Sequence, residues 1–78
     1  MQQLEFRLNR PFVQLNQLLK LTGQCDSGGA GKALVAGGTV RVDGSIELRK
    51  TCKIRVGQVV TLGDVEISVV AAGGMPPE

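Results

Sequence analysis

The sequence predicts an α+β domain in which two short helices pack against a small, mainly antiparallel sheet. Three observations indicate this class: apolar residues alternate near the amino terminus, then recur at spacings of three and four, and then return to short alternating runs separated by glycine turns. A period of two is typical of half-buried strands, and a period between three and four of amphipathic helices. The 78 residues suffice for one domain. We expect that domain to span residues 1–72, with 73–78 as a flexible tail.

The amino-terminal third predicts a strand followed by a helix. Leu4, Phe6 and Leu8 alternate with charged residues and predict the strand. The helix is predicted to begin at Pro11, because the first helical position tolerates a residue without an N–H group. Its apolar face is expected to contain Phe12, Leu15, Leu18 and Leu19. Thr22-Gly23 is expected to end it.

A second helix is predicted after Ser27, which is a good N-cap residue. Its expected buried side consists of Ala30, Ala33, Leu34 and Val35, and Gly37-Gly38 should end it. Three glycines, Gly28, Gly29 and Gly31, are unusual inside a helix, because each costs about 1 kcal/mol relative to alanine. Small residues there would let another backbone approach closely. That neighbour is either the first helix or a ligand, and the sequence leaves both open.

The remaining chain predicts short strands joined by tight turns. Val40 and Val42 alternate with Arg41 in a strand over 39–42, and Asp43-Gly44 is a strong hairpin signal with a return strand over 45–48. Residues 53–55 are expected to be extended, with Ile54 pointing inward. Two further strands are predicted over 59–62 and 65–70, after a turn at 56–58 and around Gly63-Asp64.

Basic residues concentrate in the middle of the chain, although the formal net charge is only +2. Between Lys20 and Arg55 there are seven basic and three acidic residues, whereas acidic residues are in excess in the rest of the chain. Such an asymmetry indicates a polyanion as partner. An uneven but merely solvated surface is the alternative that charge alone leaves open.

Several chemistries are disfavoured by composition. The chain has no His, Trp or Tyr and only two cysteines, Cys25 and Cys52, which are far apart in sequence. We therefore expect no metal site, no cofactor, no disulfide framework and no catalytic thiol. The string GGAGKA lacks the spacing of a phosphate-binding P-loop. No apolar segment is long enough to cross a membrane, and no signal peptide is evident, so we expect a cytoplasmic protein. The sequence contains no nucleophile–base pair, so we expect no enzymatic activity.

The segment ELRKTCKIRVG is the clearest candidate binding feature. Four basic residues, Arg49, Lys50, Lys53 and Arg55, fall within seven positions, and Arg41 lies on the preceding strand. One or two such residues would protect a sheet edge from aggregation, whereas four together favour contacts to backbone phosphates. The start of the second helix, near Lys32, is either an ordinary capped end or a site for one phosphate.

The segments LNQLLKLTG, AGGTVRVDG and RKTCKIRVGQVV resemble the alpha-L RNA-binding motif found in small-subunit ribosomal protein S-four. The resemblance is greatest to the short, stand-alone bacterial proteins of the YbcJ-like kind, and it covers roughly residues 4 to 71. It implies two packed helices and a small curved sheet that together form an RNA-binding surface. The chain differs from the wider pattern at Gly28, at residues 13–15 and at Asp43.

The resemblance also implies which residues bind RNA. Lys32 and Arg41 fall at positions that are usually basic in the family, and Arg49, Lys50 and Lys53 match the basic run of the short version. Together with Arg55 they form the predicted RNA-binding set. The implied partner is structured RNA, with ribosomal RNA or a ribosome assembly intermediate as the suitable class.

Two alternatives from other classes remain open at the level of sequence. One is a sulfur carrier of the ubiquitin-like kind, for which Gly73-Gly74 is the only supporting feature. Four residues follow that pair, whereas a carrier needs a free terminal glycine. The other is an adaptor that binds a protein through the same surface.

Overall fold

The computed structural model describes residues 2–72, in which the chain forms seven strands and two helices. In chain order these are β1 (Gln2–Leu8), β2 (Val13–Gln14), α1 (Leu15–Leu21), α2 (Gly28–Ala36), β3 (Val40–Val42), β4 (Ser45–Ile46), β5 (Lys53–Ile54), β6 (Val59–Leu62) and β7 (Val65–Ala71). The expected tail, residues 73–78, lies outside the described residues.

The strands form one five-stranded sheet and one short ribbon. The order in the sheet is β1-β7-β6-β3-β4, and every neighbouring pair is antiparallel except β1 and β7. In that parallel pair Gln2 is opposite Val65 and Leu8 is opposite Ala71. The ribbon pairs β2 with β5 in antiparallel fashion. The predicted α+β class with a mainly antiparallel sheet is confirmed.

The predicted start of the first helix at Pro11 is wrong, because α1 begins at Leu15. Val13 and Gln14 pair instead with Ile54 and Lys53 in the ribbon. A contact with a segment about 40 residues away thus prevails over the local preference for helix. Phe12 consequently lies before the helix and is half-buried. The other three residues of the expected apolar face, Leu15, Leu18 and Leu19, are buried as predicted.

The second helix begins as predicted but presents a different face to the core. The Ser27 hydroxyl oxygen accepts the Ala30 N–H at 3.1 Å, which is the expected N-cap. The buried residues of α2 are Gly31 and Val35, and Leu34 is half-buried. Ala30 and Ala33 are exposed, so their predicted burial is wrong. The helix is rotated so that a glycine faces its neighbour.

Gly31 accounts for that rotation, because the backbone of α1 lies directly against it. A Cβ atom at Gly31 would be 2.5 Å from the carbonyl oxygen of Asn16, which is closer than atoms can approach. Gly28 is also packed, with side-chain atoms of Gln17 and Asn16 beside it. Gly29 faces open space apart from its neighbour Ser27. Packing of the first helix therefore explains two of the three glycines.

The hairpin between β3 and β4 forms where the sequence predicted it. Asp43 and Gly44 both have positive φ angles, 52° and 87°, as a tight two-residue turn between antiparallel strands requires. The return strand is shorter than expected and ends at Ile46 instead of residue 48. After one more ladder bond, from the Glu47 N–H to the Val40 carbonyl, the chain leaves the sheet.

A single aliphatic core joins both helices to both sheets. Its buried members come from every strand except β4, and from both helices: Leu8, Val13, Leu15, Leu18, Leu19, Val35, Val40, Ile54, Val60, Ile67 and Val69. Among residues 2–72, neither helix is long and apolar enough to span a bilayer.

The contact at Gly31 gives the first prediction. Gly31→Ala should lower the free energy of unfolding by about 1–3 kcal/mol, because the new methyl group meets a backbone oxygen that cannot move independently. This loss is the net effect, after a helix-propensity gain of about 1 kcal/mol. Thermal and urea denaturation measure the effect, with a fall in Tm of about 4–8 °C for each kcal/mol.

Gly29→Ala is the matched control, since it adds the same methyl group to the same helix in open space. It should leave stability unchanged or raise it slightly. Equal destabilisation by both variants would contradict the packing explanation.

Candidate nucleic-acid interface

The segment that carries most of the basic residues is anchored on the start of α1. We call residues 49–53 the basic loop. The Cys52 carbonyl accepts the Leu15 N–H at 2.8 Å, and the Lys50 carbonyl accepts the Asn16 N–H at 3.1 Å. These two bonds satisfy N–H groups that a helix start leaves unpaired, and the residue before α1, Gln14, provides no side-chain cap. The backbone of the basic loop therefore has a defined position.

The basic loop and α2 together border one open depression, which we call the basic depression. It is lined by Lys32, Arg49, Lys50, Thr51, Cys52, Lys53 and Arg55. Five of the six residues in the predicted RNA-binding set are thus brought together, from α2 and from the segment 49–55. Thr51 and Cys52 were not predicted, and only their position between the basic residues could have indicated them.

Arg41, the sixth predicted residue, lies outside the basic depression. It is exposed on β3, opposite Ile46 on one side and Thr61 on the other. The residues at the start of α2, including Ser27 and Gly29, also do not line the depression. Of the second helix, only Lys32 contributes a cation to it.

Arg49 is paired with a carboxylate at the edge of the basic depression. Its Nε and Nη2 atoms donate to the two Glu47 carboxylate oxygens, each at 3.0 Å, and its backbone N–H donates to Glu47 Oε2 at 2.9 Å. These bonds lower the pKa of Glu47 to about 2, chiefly through the Arg49 side chain and then through the backbone N–H. The Arg49 side chain nevertheless remains 78% exposed. Its remaining N–H groups are therefore accessible.

Phe12 lies beside the basic depression and contacts two of its cations. Lys53 Nζ is 4.9 Å from the centre of the Phe12 ring, and the Arg55 Cζ atom is 6.0 Å from it. Both distances are in the range of cation–π interactions. The sequence did not indicate this contact, because the helical spacing of its apolar residues predicted that Phe12 lies on the apolar face of the first helix.

Asp43 and the two cysteines, which the sequence also singled out, contact other parts of the fold. Asp43 accepts the Val59 N–H at 2.9 Å and so ties the hairpin turn to β6. Burial, and then the Glu47 carboxylate, raise the pKa of the Cys52 thiol, so it is protonated at neutral pH. Cys25 is half-buried against the core. Within residues 2–72 no group of three potential His, Cys, Asp or Glu ligands is close enough to hold a metal ion.

Comparison with known proteins identifies the family. The family model described as the S4 domain matches residues 6–70, which is most of the chain. The chain belongs to the S4 domain family. This confirms the resemblance that the motifs indicated, and it does not favour the ubiquitin-like alternative. The Gly73-Gly74 pair on which that alternative depended lies outside the described residues.

Two curated relatives are similar to this chain. The "Putative RNA-binding protein YbcJ" of Escherichia coli strain K12 and the "Uncharacterized protein YbcJ" of Shigella flexneri are each 48% identical over 61 residues. In both cases the match covers 78% of this chain and 87% of the relative. The match thus includes nearly the whole length of these relatives.

A solved structure shares the same S4 architecture. The solution structure of YbcJ from E. coli, described as revealing an alfaL motif involved in RNA-binding, is 42% identical to this chain with a TM-score of 0.65. The match covers 91% of this chain and 89% of that one. The alpha-L arrangement predicted from the motifs is thereby confirmed.

The Glu47–Arg49 pair gives the second prediction. Because the pKa of Glu47 is lower in the folded protein than its ordinary value of 4.5, its contribution to stability is present above that pH and is lost as pH falls toward about 2. A carbon-13 NMR titration should give a midpoint near 2 for the Glu47 carboxyl. Arg49→Ala should return that midpoint toward 4.5, and an ordinary midpoint in the unmodified protein would contradict the pairing.

Proposed function

We propose that this chain is an RNA-binding module that recognises structured RNA through its phosphates. The observation that carries the proposal is the basic depression, where Lys32 of α2 meets the cations of the basic loop and Arg55. No acidic residue of the described chain lines it. A surface with several exposed cations and no lining carboxylate is suited to a polyanion.

The fixed backbone positions that carry these cations support RNA as the polyanion. Lys32 is set by the packing of α2 on Asn16, and Lys50 by its own carbonyl bond to the start of α1. Cations on separate, rigidly joined elements can match a particular spacing of phosphates, which is how structured RNA is commonly recognised by shape. Membership of the S4 family, and the RNA-binding named for its YbcJ relatives, point to the same ligand.

The six predicted residues have unequal roles in this proposal. Lys32, Lys50, Lys53 and Arg55 provide direct charge in the depression, and Arg49 provides its free N–H groups while Glu47 orients it. Arg41 is exposed on β3 outside the depression and would contact only an RNA that extends across the sheet. Its replacement should therefore have the smallest effect.

The proposal describes binding and not catalysis. We infer ribosomal RNA or a ribosome assembly intermediate in the cytoplasm as the partner, because such RNA is folded and presents closely spaced phosphates. No cofactor is required for recognition of this kind. The alternative is an adaptor, in which the same surface binds an acidic protein instead of RNA.

The third prediction concerns salt dependence. With a fully paired RNA hairpin as probe, the logarithm of the association constant should fall linearly with the logarithm of salt concentration. Replacing Lys32 and Lys50 together by alanine should reduce the slope by about 0.7–0.9 for each lost phosphate contact. Fluorescence anisotropy at several salt concentrations measures both slopes, and circular dichroism checks that the variant folds.

Lys20→Ala is the matched control, because Lys20 is exposed on α1 but does not line the basic depression. Its slope should equal that of the unmodified protein. The proposal fails if the double variant binds as tightly as the unmodified protein, or if duplex DNA of equal length binds as well as the RNA hairpin.

A further inference from the structure

We propose that a second depression, on the other side of Phe12, receives one unpaired base of the bound RNA. The inference rests on the proposed function and adds to it a site for a base, whereas the basic depression contacts phosphates. It concerns residues outside the predicted RNA-binding set. We call this second site the apolar depression.

The apolar depression has a mixed lining, in which six of ten residues are apolar and four are polar or charged. It has a volume of about 580 Å³, and its lining contains both aromatic residues of the chain: Phe6, Leu8, Asn9, Arg10, Pro11, Phe12, Val13, Gln14, Gln17 and Leu21. The volume is within the range of about 300–1,000 Å³ that is usual for small-molecule sites. Leu21 is 59% exposed although it is a large apolar side chain. A nucleic-acid base is the part of an RNA that such a surface can bury, because the base is flat, aromatic and largely apolar on its faces.

The two depressions adjoin across the β2–β5 ribbon. Phe12 lines the apolar depression, while Lys53 and Arg55, which contact its ring, line the basic depression. In the ribbon, Gln14 of the apolar depression pairs with Lys53. A nucleotide whose phosphate is held by Lys53 can therefore place its base on the Phe12 side of the ribbon. This continuity is the reason to assign the site to RNA.

The polar groups in the apolar depression suit the edges of a base. Within residues 2–72 the side-chain amides of Asn9, Gln14 and Gln17 form no hydrogen bond, although all three line the depression. Each amide can both donate and accept, which is what the edges of bases require. Among the described residues, Arg10 is the only charged one in the lining, and its positive charge favours an RNA partner. A paired base is enclosed in its helix and cannot enter, so the ligand is an unpaired base.

The test is a competition between paired and bulged RNA. The probes are a fully paired hairpin and a pool of the same hairpin with one extra unpaired nucleotide, placed at every stem position with each of the four bases. The bound fraction is sequenced. Members of the pool should be enriched by about fivefold or more over the paired parent, the effect expected from burying one base against an aromatic surface.

Two variants test whether the preference for bulged RNA arises in the apolar depression. Leu21→Ala should reduce the enrichment by at least about half while leaving the salt slope with the paired hairpin unchanged. Phe12→Leu should also reduce the enrichment by at least about half. Leu48→Ala is the matched control, because Leu48 is also 59% exposed but does not line either depression. It should retain the full enrichment. Leu21→Ala removes an exposed side chain, so the test does not depend on whether Phe12→Leu folds.

The possible outcomes separate the two proposals. Steep salt dependence with the paired hairpin, but no enriched bulge, would overturn the base site and leave the proposed function intact. An enrichment that survives Leu21→Ala and Phe12→Leu would also overturn it, because the base would then bind elsewhere. Leu21 methyl resonances that shift with protein concentration and not with RNA would show a second copy in the depression instead. Absence of any RNA binding at low salt would overturn the proposed function itself.

Discussion

The contact around Asn16 determines both the packing of the helices and the position of the binding surface. Its carbonyl oxygen lies against Gly31, its side-chain Nδ2 donates to the Gly28 carbonyl at 3.4 Å, and its N–H donates to Lys50. Asn16 is only 1% exposed, so these contacts are shielded from water. One residue thereby joins α1, α2 and the basic loop. A change in the distance between the helices would also change the distance between Lys32 and Lys50.

Aliphatic packing and backbone hydrogen bonds provide most of the stability of this domain. The buried core contains Leu, Ile and Val, while both phenylalanines are only half-buried. A chain of 78 residues buries a smaller share of its surface than a larger domain does, so its stability margin is small. The close approach at Gly31 and the carbonyl caps on α1 therefore matter for function as well as stability, because residues 49–52 of the basic loop belong to no helix or strand.

The sequence predicted those parts of the fold that depend on local signals, and it failed where distant segments decide. The Ser27 cap, the Asp43-Gly44 turn and the strand over 59–62 depend on neighbouring residues and were predicted correctly. The start of α1 was predicted wrongly, because the pairing of β2 with β5 leaves no signal in the neighbouring sequence. The grouping of Lys32 with the basic run was implied by family resemblance. The Glu47–Arg49 pair and the place of Phe12 required the structure, since both depend on how the chain turns beside the ribbon.

Placing five cations around one depression has an electrostatic cost in the free protein. Like charges repel, and apart from Arg49, which Glu47 partly compensates, these cations depend on exposure to water and on ions in solution. The net charge of only +2 limits attraction to any distant polyanion, whereas the field is strong close to the depression. Such a distribution favours a ligand whose phosphates are spaced to meet all the cations together. The charge is therefore arranged for selective recognition of shape more than for general attraction to nucleic acid.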